Sequence, residues 1–104
     1  MQQSMILHSV FFYFKEDTPE DVIEEQRKRI FELNNKIDHV QLTFAGAPYG
    51  IERDVVDNDY GMSLHMLLQD EDSLKAYQEH ELHQAFLSDF KEYWTQVKVY
   101  DTSV

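Results

Sequence analysis

The sequence predicts an α+β domain in which an antiparallel sheet carries helices on one face. Three observations lead there. Runs with period-two alternation occur at "MILHSVFFYF", "HVQLTFAGAP", "MSLHMLL" and "QVKVYD". Two longer runs, "TPEDVIEEQRKRIFELNNKI" and the stretch around "AYQEHELHQAFLSDF", carry apolar residues at helical spacing instead. The resulting order is strand, helix, strand, strand, helix, strand, the βαββαβ order of a ferredoxin-like subunit.

Each element has its own warrant. In the first strand Ile6, His8, Val10, Phe12 and Phe14 share one side, and Leu7, Ser9, Phe11 and Tyr13 share the other. Both sides carry large apolar groups, so both are expected to be covered. The first helix has Thr18 as a cap, Pro19 at its first position, and Glu20 and Asp21 at the positive end of the dipole. Its inward stripe is Val22 or Ile23, Gln26, Ile30, Leu33 and Ile37. The second strand places Val40, Leu42 and Phe44 on one side and stops at Gly46 and Pro48. The polar run "YGIERDVVDNDYG" reads as a loop. The third strand sets Met62, Leu64, Met66 and Leu68 against Ser63, His65 and Leu67. Asp70 or Asp72 caps a second helix that runs through the histidine-rich stretch to near Trp94, before a short last strand.

Composition bounds the function. The 104 residues suit one domain, 1–104, with an ordered core over about residues 5–101. Hydrophobic content of 42% argues for a real core. The chain has no cysteine, which excludes a thiolate nucleophile and cysteine-held metal clusters. Its net charge of -11 repels phosphate backbones and anionic lipid surfaces, so neither nucleic acid nor membrane is an expected partner. The opening "MQQSMILHSVFFYF" has no basic segment before its apolar run and is too short to span a bilayer, so a cytoplasmic location is expected. Only three glycines occur and none forms a phosphate-cradling loop, so no nucleotide, flavin or other cofactor is expected.

Two helices cover one sheet face and leave Leu7, Phe11, Tyr13 and Leu67 bare on the other. Bare apolar patches larger than about 400 Å2 are unusual on monomers. The expected cover is a second copy, sheet against sheet about a two-fold axis.

Several pieces of the sequence, in order, resemble the stress-responsive dimeric α/β-barrel (Dabb) family. They are "LHSVFFYFKEDTPEDVIEE", "YGMSLHMLL", "LKAYQEHELHQAF" and "VKVYD". The most specific are His8 with the Phe14–Lys15 strand end, and the spacing Tyr77, His80, His83, Phe86. The resemblance implies a ferredoxin-like subunit that pairs with its mate into a barrel. Family activities are diverse: plant stress proteins, bacterial proteins of unassigned role, and a plant polyketide cyclase that works by aldol condensation. The cyclase-like subgroup implies a pocket between sheet and helices, with His83 as base, Tyr77 as its orienting partner and His8 on the pocket wall. The sequence departs from that pattern twice. Met62 stands where the cyclase has a further pocket histidine, and Glu81 stands where the family usually has proline. Without the proline the sequence leaves open whether the helix breaks near His80 or runs on past it. Tyr77 and His83 lie six positions apart and face each other only if the chain turns there.

The ligand-lining set expected from this reading is His8, Met62, Tyr77, His83 and Phe86. His80 and His83 lie three apart beside Glu79, but a solvated helix face accounts for them equally and no metal site is assigned. Three functional readings follow. The first is a homodimer binding a small, mainly apolar or aromatic ligand. The second is a cofactor-independent enzyme, cyclase-like or monooxygenase-like, using His83 and Tyr77. The third is a structural, stress-related assembly protein.

Overall fold

The structure, a computed structural model, describes residues 4–104. The first three residues, part of the N-terminal stretch read for a targeting signal, lie outside the described residues. The elements are β1 (Ile6–Phe14), α1 (Glu20–Lys36), β2 (Val40–Gly46), β3 (Met62–Leu68), α2 (Glu71–Glu79), α3 (Glu81–Phe90), a single 3-10 turn (Lys91–Tyr93) and β4 (Trp94–Ser103). The sheet order is β2-β3-β1-β4, and every neighbouring pair is antiparallel. This is the ferredoxin-like α+β arrangement that the element order predicts.

Strand alternation sorts the side chains as expected for β1 and β3. Val10, Phe12, Met62, Leu64, Met66 and Leu68 are buried beneath the helices. They meet Ile30, Leu33 and Ile37 of the α1 side, and Leu74, Tyr77, Phe86 and Phe90 of α2 and α3. Gln26 lies in the α1 stripe and is fully buried. Its amide donates to the Val22 carbonyl at 3.3 Å, and its oxygen accepts from Trp94 Nε1 at 2.9 Å. A buried amide is tolerated because both of its ends are bonded, and here it ties α1 to the start of β4.

Four local expectations are corrected. Thr18 does not cap α1. Pro19 occupies the cap position in extended conformation, which leaves Thr18 one residue too early, and its hydroxyl donates to the Lys15 carbonyl instead. In β2 the register shifts between Val40 and Leu42. The extra residue of this bulge reverses the alternation. Val40 and Thr43 are buried, while Leu42 and Phe44 lie exposed on the far face. The third correction concerns the second helix, which ends at Glu79 and restarts at Glu81. The last strand is also longer than "QVKVYD", running from Trp94 to Ser103.

Where β3 begins, Gly61 donates its N–H to the Phe12 carbonyl at 2.8 Å, and a Cβ built there would enter the Phe14 ring. Phe14 packs against the core. Gly61→Ala is therefore expected to destabilise the fold by about 1–3 kcal/mol through overpacking. Urea unfolding measures this, and an unchanged midpoint would contradict it.

Candidate functional site

The break between α2 and α3 builds the site. His80 sits between the helices in extended conformation, φ -62° and ψ 138°. Its Nδ1 accepts the Leu82 N–H at 3.1 Å, so its side chain caps α3. This supplies what the missing proline would have supplied, a defined end to one helix and a start for the next. Ending α2 also leaves late carbonyls without helical partners. The Gln78 carbonyl is taken up from beyond the break, by His83 Nδ1 at 3.0 Å and Gln84 Nε2 at 2.7 Å. The turn swings His83 back over Tyr77, with ring centroids 4.6 Å apart. The question the sequence left open, whether the helix breaks near His80, is thus answered by a break, because a histidine side chain can satisfy an open helix start as Asp or Ser does.

Tyr77, His83 and His8 line a cavity of about 200 Å3 between the β1–β4 half of the sheet and the α2–α3 pair. Phe86, Leu64, Phe12 and Trp94 give it apolar walls. Val97 and Val99, on the half-open edge strand, complete it. His8 is buried, and its ring stands edge-on to Tyr77 at 6.0 Å. Its Nδ1 lies 2.6 Å from a carboxylate oxygen of Asp101, the residue directly opposite on β4. That contact leaves Nε2 as the other polar edge of the ring.

The electrostatics follow from burial. Burial pushes the Tyr77 hydroxyl well above its ordinary range, so it remains a protonated donor at neutral pH. Among the described residues no hydrogen bond offsets that burial, and the Tyr77 side chain borders the cavity. Burial also lowers the His83 pKa; the Gln78 carbonyl opposes this and nearby His8 adds to it. Because Nδ1 donates to Gln78, the neutral imidazole keeps its lone pair on Nε2. A protonated phenol and a neutral imidazole in ring contact can together hold an oxygen-bearing group or move a proton.

Four of the five expected lining residues, His8, Tyr77, His83 and Phe86, border this cavity. Met62 does not. It is buried in the core, and the groove it helps to line opens elsewhere, beside Glu20, Arg27 and Gly46. Asp101 and Gln78 were not singled out in the sequence. Asp101 is signalled only by strand register, and Gln78 acts through its backbone, which has no side-chain signature. His80 and His83 each spend Nδ1 on the helix break. Among the described residues, no three His, Asp or Glu side chains form a potential metal-ligand set. None of the described helices is long and apolar enough to cross a membrane.

The family model of the stress responsive A/B barrel domain matches residues 6–104. The chain belongs to the Dabb family. Solved structures share this Dabb fold at low identity. A dimeric ferredoxin-like protein of unknown function from Thermobifida fusca superposes with TM-score 0.83 at 21% identity, covering 100% of this chain and 94% of that one. A Dabb family protein from Mesorhizobium loti gives 0.78 at 19%, covering 98% of each chain. The hydroxynitrile lyase of Passiflora edulis gives 0.86 at 12%, covering 98% and 94%. Among curated proteins no match was found.

The pH behaviour of His83 follows from its burial. Its folded-state value lies below the ordinary value of about 6.5. The unfolded chain therefore takes up this proton first as pH falls. The stability contribution of neutral His83 is complete above about pH 6.5 and declines through and below it. The His83 ring resonance in a proton–carbon NMR titration is expected to show a midpoint under about 6.5. A midpoint above that value would contradict the burial of the His83 ring as the dominant influence.

Proposed function

We propose that this Dabb protein is a homodimer, paired sheet to sheet, that binds a small and mainly apolar ligand in the cavity beneath α2 and α3. The observation that carries the reading is the convergence of three polar side chains, Tyr77, His83 and His8, on one apolar space. Such sites are built from apolar walls and a few placed polar groups. The volume of about 200 Å3 falls below the roughly 300–1,000 Å3 of drug-sized pockets. The expected occupant is a single ring or short chain bearing a hydroxyl, carbonyl or carboxylic acid group. Pairing through the sheet is supported by the exposed far face, with Leu42 at 48% and Phe44 at 59%, and by the dimeric structures this chain resembles.

A second reading makes the site a cofactor-independent acid–base catalyst of the cyclase type. The fixed His83 tautomer favours it. His83 Nε2 takes a proton from carbon next to a carbonyl, while the Tyr77 hydroxyl donates to the developing oxyanion. The proton then returns from His83 to product oxygen or carbon. The three convergent groups give the third reading, a purely structural assembly, no support.

Thermal unfolding with aromatic hydroxy acids and short fatty acids tests the binding reading, and divalent metals serve as a further arm. A ligand at a hundredfold its Kd stabilises by about 2.7 kcal/mol, a shift of several degrees. This is expected for wild type and is expected to shrink in Tyr77→Phe and vanish in His83→Ala. Equal shifts in all three proteins would remove the cavity from the reading. For any compound found, turnover by wild type and its loss in His83→Ala would select the catalytic reading. Light scattering at micromolar concentration is expected to give twice the 12.4 kDa chain mass; a monomer would remove the paired-sheet part.

A further inference from the structure

The far face of the sheet, opposite the cavity, carries a histidine at its centre. His65 of β3 lies opposite Ser9 on β1 and Phe44 on β2. Both of its ring nitrogens are engaged, Nδ1 with Ser9 Oγ at 2.9 Å and Nε2 with Ser63 Oγ at 3.2 Å. The Phe11 ring stands edge-on to it at 5.7 Å. Ser9 and Ser63 are themselves buried, so the imidazole rests on a polar floor inside an aromatic and aliphatic surround.

The charged and titratable neighbours can be named element by element. From β2 come Leu42 and Phe44, neither titratable. On β1 the face presents Leu7, Phe11 and Tyr13, and on β4 it presents Lys98 and Tyr100. The β2–β3 loop adds Tyr60 against Phe11, and Asp57. Asp57 is already engaged, accepting from Tyr13 at 2.8 Å and from the Asp59 N–H at 2.7 Å. Lys98 lies over the Tyr13 ring at 5.1 Å. Among the described residues His65 forms no ion pair with a carboxylate, and the two charged groups named on this face, Asp57 and Lys98, are both held at Tyr13.

We propose that His65 is a proton switch on self-association, so that the sheet-to-sheet dimer holds at neutral pH and loosens on mild acidification. This rests on the paired-sheet reading above. In a two-fold interface each His65 meets a second copy of the same surface. Neutral imidazole suits that surface, because its two nitrogens are matched by the two serine hydroxyls. A proton makes both nitrogens donors, forces any donating hydroxyl to reverse, and buries a charge without a partner. Burial already holds the His65 imidazole below its ordinary pKa in the single chain, and a covering partner acts in the same direction. The dimer therefore binds fewer protons than two free chains, and association weakens as pH falls. Two imidazoles are buried per dimer, so a proton affinity about tenfold lower in the dimer weakens association about a hundredfold at the acid limit.

Overall electrostatics predicts the opposite. The net charge of -11 shrinks as pH approaches the isoelectric point near 4.6, and the lost repulsion should tighten self-association. The sign of the effect is therefore diagnostic. Sedimentation velocity across dilution series from about pH 7.5 to about pH 5, with circular dichroism to check folding, supplies the test. The expected result is a dimer at the upper limit whose Kd rises at least about tenfold at the lower one. His65→Gln and, as a second variant, His65→Asn are expected to dimerise without that rise, while His39→Gln retains it. A wild-type Kd that is constant or falls on acidification would overturn the switch and leave the dimer standing. A rise that persists in both His65 variants would do the same. A monomer at about pH 7.5 would overturn the paired-sheet reading itself, and the switch with it.

Discussion

The pairing of β1 on both of its edges is the constraint on which the molecule depends. Its backbone bonds to β3 on one side and β4 on the other along most of its length. With both edges satisfied, the strand cannot slide without moving every side chain to the wrong face. That register assigns His8, Val10 and Phe12 to the helices, and Ser9, Phe11 and Tyr13 to the far surface. The cavity and the serine floor under His65 are thus two consequences of one alternation. Asp101 reaches His8 for the same reason, because β4 is locked opposite β1.

The second helix shows how a site can be made by interrupting an element rather than extending it. An unbroken helix would point Tyr77 and His83 to different sides. Stopping at Glu79 and restarting at Glu81 brings them into ring contact, with the interruption stabilised by His80 Nδ1 and by the donors that reach the Gln78 carbonyl. The same hydrogen bond that anchors the interruption also fixes the His83 tautomer. Local structure and chemical character therefore have a common origin in this short segment.

Much of the fold was legible because alternation and helical spacing are periodic signals, and all five expected lining residues lie on elements read by those signals, four of them bordering the cavity. What was not legible is aperiodic. The bulge after Val40 adds one residue and sends Leu42 and Phe44 to the face opposite the one their spacing suggested. Met62 was placed by counting from a motif, yet its strand position puts it in the core away from the cavity. The capping role of His80 depends on a side-chain bond that neither composition nor spacing announces. Thr18 carries the right chemistry for a cap but stands one residue too far from the helix start to use it.

The distribution of charge over the surface has a consequence for how copies of this chain meet. Glu and Asp side chains crowd the helices and the β2–β3 loop, whereas Lys98 is the one fully charged residue among the described strand residues facing away from the helices. Two like-charged molecules diffusing together repel each other in most orientations. On the paired-sheet reading, an approach that brings the two sheets face to face meets less of this charge than an approach through the helices, with Asp57 the loop carboxylate held against that face. In the proposed paired-sheet dimer the acidic helices would then act as an orientation filter on encounters, disfavouring contact through the helices relative to contact through the sheet.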